Sequence, residues 1–468
     1  MGTIIEFLNT VFWGYILIYG LLAVGLYFTI RLGFIQILHF PEMWRCVVGS
    51  RDMDRDGISP FQALTVSLAS RVGTGNIAGV AVALTLGGPG AIFWMWMVAL
   101  VGMATAYAES TLAQLYKVHG PGGMYRGGPA MYIAKGLKQP WLASLFSVSL
   151  LISFGLVFNA VQANSIAGAV QASFGINKVI VGVALAALAG FIIFGGIPQI
   201  ARVAEKVVPA MAGLYLLAAL IVMITNLGEV PGILTGIVRS AFGLQETVGG
   251  VAGGVIAAAM NGIKRGLFSN EAGMGSAPNI AAVAAPDPHH PSSQGFVQAL
   301  GVFIDTLMVC TATAVMILLA DVVPSAELTG VNLTQAALVY HFGSSGGHFI
   351  AIAIFFFAFT SIIGNYSYAE NAVVYLGGGA VGILTLRIAA LAMVIWGAVQ
   401  AVTTVFDFAD ASMGLMATIN LVAIVALSGT VSYVTRDFLR QRRAGQNPRF
   451  HIGDHPEIAP GVNSEIWR

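Results

Sequence analysis

Apolar runs of about 20 residues, the length that crosses a hydrocarbon layer as a helix, recur along almost the whole chain. Eleven such segments are predicted, at 7–30, 60–86, 91–116, 142–174, 179–194, 207–225, 248–285, 296–320, 348–375, 386–405 and 408–433. Each is read as a helix, because a backbone in lipid must satisfy its own hydrogen bonds. Two of the runs break the pattern. The second is interrupted by "VGTGNIAG" at 72–79 and the seventh by "SNEAGMGSAP" at 269–278, polar and glycine-rich stretches where an intact helix is most needed.

The order of the spans gives these interruptions meaning. Five helices separate equivalent positions, so the second set of five runs opposite to the first, which predicts an inverted repeat of 59–226 and 227–434. The first helix, with its connector at 1–58, lies outside that repeat, and a basic tail occupies 435–468. Broken backbone at membrane depth survives only where it lines a cavity or is buried in protein. Unwinding frees N–H groups at the start of one half-helix and C=O groups at the end of the other, giving donors for a carboxylate and acceptors for a cation. Close helix packing explains glycines such as Gly79 and Gly87 equally well. It does not explain Thr74 and Asn76, whose side chains need polar partners.

Composition supports the membrane reading. The 468-residue chain is 57% hydrophobic and 9% charged, against about 25% charged in soluble domains, which excludes a water-soluble globule. Net charge is near zero and offers no argument for nucleic acid. The basic residues are unevenly placed. Arg31, Arg45, Arg51, Arg55, Lys117, Arg126, Lys135, Lys138, Arg202, Lys206, Arg387 and six tail arginines fall in loops of one side, 17 of the 22 Lys and Arg. The positive-inside rule then puts the C terminus in the cytoplasm, and an odd helix count puts the N terminus outside. No cleavable leader is read, since the first apolar run is too long for one. Cys46 and Cys310 are too far apart in the topology for a disulfide or a metal cluster.

Several polar groups have two readings. "DMDRDGISPFQA" at 52–63 begins like a calcium loop but carries Ala63 where the bidentate Glu belongs; Ser59 and Pro60 instead mark a helix start. Glu109, Glu271, Asp305 and Glu370 are acids within spans, either functional or paired with Arg71, Lys264 and Arg265. Lys264 and Arg265 fall inside a span, so they must face an aqueous cavity or the span must begin elsewhere. Thr360 and Ser361 either bond back to their own helix or serve a hard cation. Gln162, with Asn159 and Asn164, faces a cavity or locks a helix pair. The tail is read as a solvated extension near anionic lipid, and the outer segment 321–342 as including a short lid-like helix.

The motifs "GTGNIAGVA", "GGPGAIFWMWMVALVGMATAYAE" and "GLFSNEAGMGSAP", in this order, resemble the alanine or glycine:cation symporter family of bacterial and archaeal amino-acid carriers. The resemblance covers nearly the whole chain. It implies a LeuT-type 5+5 inverted repeat with two broken helices plus one extra N-terminal helix, eleven transmembrane helices in all, in a prokaryotic plasma membrane. It also implies uptake of a small neutral amino acid, alanine or glycine, with sodium as the co-transported ion or sometimes protons, and needs no obligatory protein partner. Carried over residue by residue, Val72, Gly73, Thr74, Gly75 and Asn76 would hold the substrate carboxylate and its cation. Phe268, Gly273 and Met274 would floor and wall the pocket, and Gln162 would be a polar pocket residue. Sodium would take carbonyls of Ala69, Val72 and Phe357 and the hydroxyls of Thr360 and Ser361. Asn365 departs from the tryptophan that many members carry after "TSIIG", which opens the pocket to serine or a longer amino acid. Rival readings are an uncoupled channel or facilitator, an amino-acid sensor, and an intramembrane enzyme built on Ser276 with His289 or His290.

Overall fold

The computed structural model describes residues 2–48, 57–244, 251–325 and 327–468; Arg51, Arg55 and the acids of the calcium-like loop at 52–56 lie outside the described residues. Among those described, eight helices are long and apolar enough to cross a membrane. They are α1 (Ile4–Arg31), α4 (Gly90–Leu115), α5 (Pro140–Phe174), α7 (Gly196–Thr225), α11 (Pro291–Leu318), α13 (Ser344–Tyr375), α14 (Gly379–Val399) and α15 (Val402–Ala426). The other three predicted spans are the sixteen-residue helix α6 (Lys178–Ile193) and the two interrupted segments. The first interrupted segment is α2 (Pro60–Arg71) followed by α3 (Gly75–Gly87); the second is α9 (Val251–Asn270) followed by the four-residue α10 (Pro278–Ala281).

Local chemistry explains these boundaries. Ser59 caps α2 as expected: its Oγ accepts from Gln62 N–H (3.1 Å) while Gln62 Oε1 accepts from Ser59 N–H (3.2 Å), a reciprocal capping box with Pro60 at the first helical position. Val72 leaves the helical region (ψ 86°), and the chain resumes in wide π-type turns over Gly75–Gly79. The second segment does not continue as a spanning helix to residue 285. After α10 it runs extended, and Ala285 N–H donates to Ile58 O (2.9 Å), tying the exit of the second segment to the approach of the first. Gly57 permits that contact, since a Cβ there would sit 2.6 Å from Val283 O.

Helix α4 packs against α9 and α11, and α5 against α13 and α14. In α7 and α14 only 28% and 17% of the apolar window is buried, against 67% in α4 and 72% in α11. The first two therefore present apolar side chains outward, as lipid-facing helices do, while the latter two form the interior.

Two further expectations are corrected, and one helix is added. The tenth span ends at Val399 rather than 405, because the chain leaves the helix at Gln400 and Ala401 before α15. An amphipathic helix that was not expected, α8 (Val230–Ala241), buries Val230, Ile237 and Ala241 and packs chiefly on α4. The tail is not a solvated extension. Helix α16 (Ser428–Arg443) buries Val431, Val434 and Phe438, and the chain beyond it folds back on the bundle. Trp467 is fully buried, donating through Nε1 to Leu115 O (3.2 Å) against the rings of His289 and Phe450. The expected helix before α13 is present as α12 (Gly330–Phe342), lying on α3 and α13.

Candidate functional site

The two interruptions lie against each other. A Cβ on Gly75 would come within 3.1 Å of both Phe268 Cδ1 and Ser269 Cα, so only glycine permits this approach. Asn76 joins them further, donating through Nδ2 to Ser269 Oγ (3.2 Å), to Asp305 O (3.1 Å) and to the Asp305 carboxylate. Phe268 stacks on Phe158 (4.9 Å between centroids) and tilts against Phe406 (5.6 Å), forming an aromatic wall.

At the first break, three freed backbone groups have found new partners. In an unbroken helix Gly73 N–H would close onto Ala69 O and Thr74 N–H onto Ser70 O. Instead Gly73 N–H donates to Asn76 Oδ1 (3.1 Å), and Thr74 donates both its N–H (3.0 Å) and its hydroxyl (2.7 Å) to Gln162 Oε1. Ala69 O, released from the ladder, lies 2.8 Å from Ser361 Oγ on α13. Phe357 O is within 3.0 Å of Ser361 Oγ and 2.9 Å of Thr360 Oγ1. Three of the five oxygens expected to hold sodium, Ala69 O, Phe357 O and Ser361 Oγ, thus meet, Thr360 Oγ1 bonds the Phe357 carbonyl of its own helix, and Val72 is the residue at which α2 stops. Neutral carbonyl and hydroxyl oxygens are the donors a hard cation takes. The mid-helix hydroxyls do bond back to their own helix, yet Ser361 also reaches across to α2.

The second break is built differently. Glu271, Gly273 and Gly275 have φ of 56°, 87° and 80°, a left-handed path that glycine adopts without strain. Glu109 on α4 accepts from Gly273 N–H (3.2 Å), Gly275 N–H (3.1 Å) and Asn420 Nδ2 (2.7 Å), and Asn420 also donates to Gly273 O (2.9 Å). Glu271 Oε2 accepts from Ser276 Oγ (2.6 Å), and its Oε1 lies 3.0 Å from Ser70 Oγ. Ser70 Oγ is also 2.5 Å from Asn365 Oδ1, and Asn365 Nδ2 donates to Asn159 Oδ1 (3.2 Å). The structure does not bring Gly273 to the Thr74 cluster: a Cβ there would face Leu421 and Thr105. Met274 is fully buried, its N–H closing on Glu271 O (3.0 Å).

The charged partners differ from those considered in the sequence. Lys264 and Arg265 pair with Asp410, at 2.6 Å each, rather than with Glu109, Glu271 or Asp305. Lys264 also lines a cavity of about 760 Å³ with Glu6, Asp407 and Thr404, so a cation inside a helix does face open space. Glu370 pairs with Arg126 (2.8 Å) and accepts from Tyr366 OH (2.9 Å). Arg71 donates to Gln298 O (3.3 Å). Asp410 was legible as an acid inside a predicted span, and α8 from its apolar Ile233, Ile237 and Ala241 at helical spacing. Ser276 and His290 do not meet: the first bonds Glu271, the second Asp437 (3.3 Å).

A helical membrane bundle with two mutually packed helix breaks is of the LeuT-type fold class. The solved structure described as "Crystal structure of MhsT in complex with L-phenylalanine" matches with a TM-score of 0.56 at 13% identity, covering 82% of this chain and 93% of that one. The family model described as "Sodium:alanine symporter family" matches residues 1–452. The amino-acid carrier protein AlsT of Bacillus subtilis (strain 168) is 49% identical, with 97% of this chain and 95% of the relative covered. The probable sodium/glutamine symporter GlnT of the same organism is 47% identical, at 96% and 93%. The chain belongs to the sodium:alanine symporter family. It is a multi-pass membrane transporter rather than an enzyme, and its relatives support sodium-coupled amino-acid transport.

Proposed function

We propose that this protein takes up a small neutral amino acid, alanine or glycine with serine as a further candidate, together with sodium by alternating access. Eleven transmembrane helices arranged as a 5+5 inverted repeat behind α1 would carry the reaction. The N terminus would lie outside and the C terminus in the cytoplasm of a prokaryotic cell. The observation that carries the reading is the pairing of functions at the first break: Ala69 O, freed from its helix, meets Ser361 Oγ at 2.8 Å, while five residues further on Thr74 presents an N–H and a hydroxyl to one acceptor.

In this reading the carboxylate of the amino acid takes the donors of Thr74 and Gly75 at the start of α3, where the helix dipole favours negative charge. Phe268 and the Phe158 ring bound the side-chain space. Asn76 acts through structure, because its carboxamide is already divided between Gly73, Ser269 and Asp305. Sodium, as cargo, takes Ala69, Val72 and Phe357 carbonyls with the Thr360 and Ser361 hydroxyls. An ion so placed bridges α2 to α13 and favours whichever state keeps them together, by its difference in affinity for the two states.

Uptake by the purified protein in liposomes tests this, with labelled alanine, glycine, serine or glutamine and an inward sodium gradient against an equal potassium gradient, a proton ionophore being present in both. Accumulation with sodium alone is expected. Replacing Thr360 and Ser361 together by Ala should raise the sodium concentration for half-maximal uptake by tenfold or more, about 1.4 kcal/mol, in a protein that still folds. Equilibration without accumulation under either cation would make the protein a facilitator, and unchanged sodium activation in the double variant would remove the cation site.

A further inference from the structure

Gln162 holds the place that the transport reading gives to a substrate carboxylate. Its Oε1 accepts from Thr74 N–H at 3.0 Å and from Thr74 Oγ1 at 2.7 Å. An N–H and an O–H converging on one oxygen at the start of a half-helix is how a carboxylate oxygen is held there. Thr74 has one of each donor, and both are directed at the same acceptor. A carboxylate and the Gln162 carboxamide therefore exclude one another. Both residues are buried, with Gln162 2% and Thr74 0% exposed, so the donors depend on a partner from the protein or the cargo. Gly73 makes room for the arrangement, since a Cβ there would stand 2.8 Å from Gln162 Oε1.

Resting on the transport reading, we propose that Gln162 is an internal stand-in for the substrate carboxylate. It is a positioning residue that caps α3 when no amino acid is bound and so lets the unloaded carrier stay closed while it reorients. A symporter must return without cargo, and the freed N–H and O–H of a broken helix are costly to bury unsatisfied. A carboxamide satisfies them without adding charge. It is also the weaker acceptor of the two, because hydrogen bonds to an ionised carboxylate are roughly twice as strong as neutral ones. Substrate therefore displaces Gln162, and departure of substrate brings it back.

Two variants bracket this role. Gln162→Met keeps the length and removes the acceptor, while Gln162→Glu supplies a carboxylate that competes with substrate like for like. Alanine binding to the purified protein, net uptake into liposomes on a sodium gradient, and alanine exchange at equal sodium on both sides are measured for each. For Q162M, binding should tighten about tenfold as the competing cap is lost, and the ratio of net uptake to exchange should fall about tenfold, because only net uptake includes return of the unloaded carrier. For Q162E, alanine binding should weaken by at least as much. Parallel loss of binding, exchange and net uptake in Q162M would overturn the proposal and make Gln162 a direct substrate contact. So would an unmoved ratio with unmoved affinity, and Q162M decides alone should Q162E fail to fold. Wild-type protein that binds alanine but neither accumulates nor exchanges it would overturn the transport reading and the return step with it, whereas the Q162M affinity would still report whether the two acceptors compete.

Discussion

The two helix breaks solve one problem with different chemistry. At the first, the freed N–H groups of Gly73 and Thr74 are held by carboxamides, Asn76 and Gln162, neutral acceptors of which one comes from another helix. At the second, the N–H groups of Gly273 and Gly275 are held by one carboxylate, Glu109, itself fixed by Asn420. A neutral cap can be exchanged for a charged ligand, whereas a buried carboxylate that accepts three hydrogen bonds cannot leave without stranding them all. On the transport reading proposed above, the first break would be the place where a ligand comes and goes, and the second would be scaffold, held by groups that do not change partners.

The largest effect should come from attacking the scaffold. Glu109→Ala would leave the N–H groups of Gly273 and Gly275 without their acceptor, at about 1–3 kcal/mol for each buried group, and would remove one of the two acceptors of the Asn420 amide. Loss of the folded protein, or a fall in melting temperature large enough to prevent purification in detergent, is expected. Size-exclusion chromatography and a thermal melt read it directly. A folded, transporting E109A would show that the second break needs no fixed cap and would dissolve the contrast.

A smaller effect is expected where the breaks touch. Gly75→Ala places a methyl 3.1 Å from the Phe268 ring and from Ser269 Cα, and the latter is backbone that cannot rotate away. Overpacking of this kind costs about 1–3 kcal/mol, and it acts between the two broken segments. Transport should therefore fall more than stability, by tenfold or more in uptake rate with a modest shift of the melt. Equal proportional losses in both would mean that the contact is ordinary packing.

Much of this arrangement was legible in the sequence because it is local. Gly, Thr and Asn inside an apolar run marked the first break, Ser59 and Pro60 marked the start of α2, and the hydroxyls of Thr360 and Ser361 stood out in α13. What the sequence did not show is pairing across long separations. Asp410 joins Arg265 from 145 residues away, and Glu109 reaches Gly273 from 164; no spacing rule reports such contacts. The tail failed for another reason. Phe450, Ile452, Ile466 and Trp467 are too sparse to form a periodic pattern among polar neighbours, yet together they cover the end of α4 and the His289 loop. Its basic composition described the surface and concealed the anchor.

A third cap, at the end of the bundle proposed to be cytoplasmic, sharpens the comparison and gives the smallest effect. His290 precedes α11, and its Nδ1 accepts from Ser292 N–H (3.1 Å) while Nε2 faces Asp437 Oδ2 (3.3 Å). An imidazole that accepts at one nitrogen and donates at the other is neutral, and protonating it would set an N–H against the Ser292 donor. Burial is the main cause that lowers the His290 pKa to about 4, opposed by Asp437 and assisted by His455 and His289. The unfolded chain takes up this proton near 6.5 and the folded one near 4. Stability from this group is therefore present above 6.5 and is lost as pH falls toward 4. The loss is about 0.7 kcal/mol between pH 7 and pH 6. His290→Asn keeps a capping acceptor and removes the titration, so its melting temperature should fall less than that of the wild type over this interval. An identical slope in both proteins would place the acid sensitivity elsewhere, whereas a flattened slope would show that the cap at this end is held only as long as His290 stays neutral.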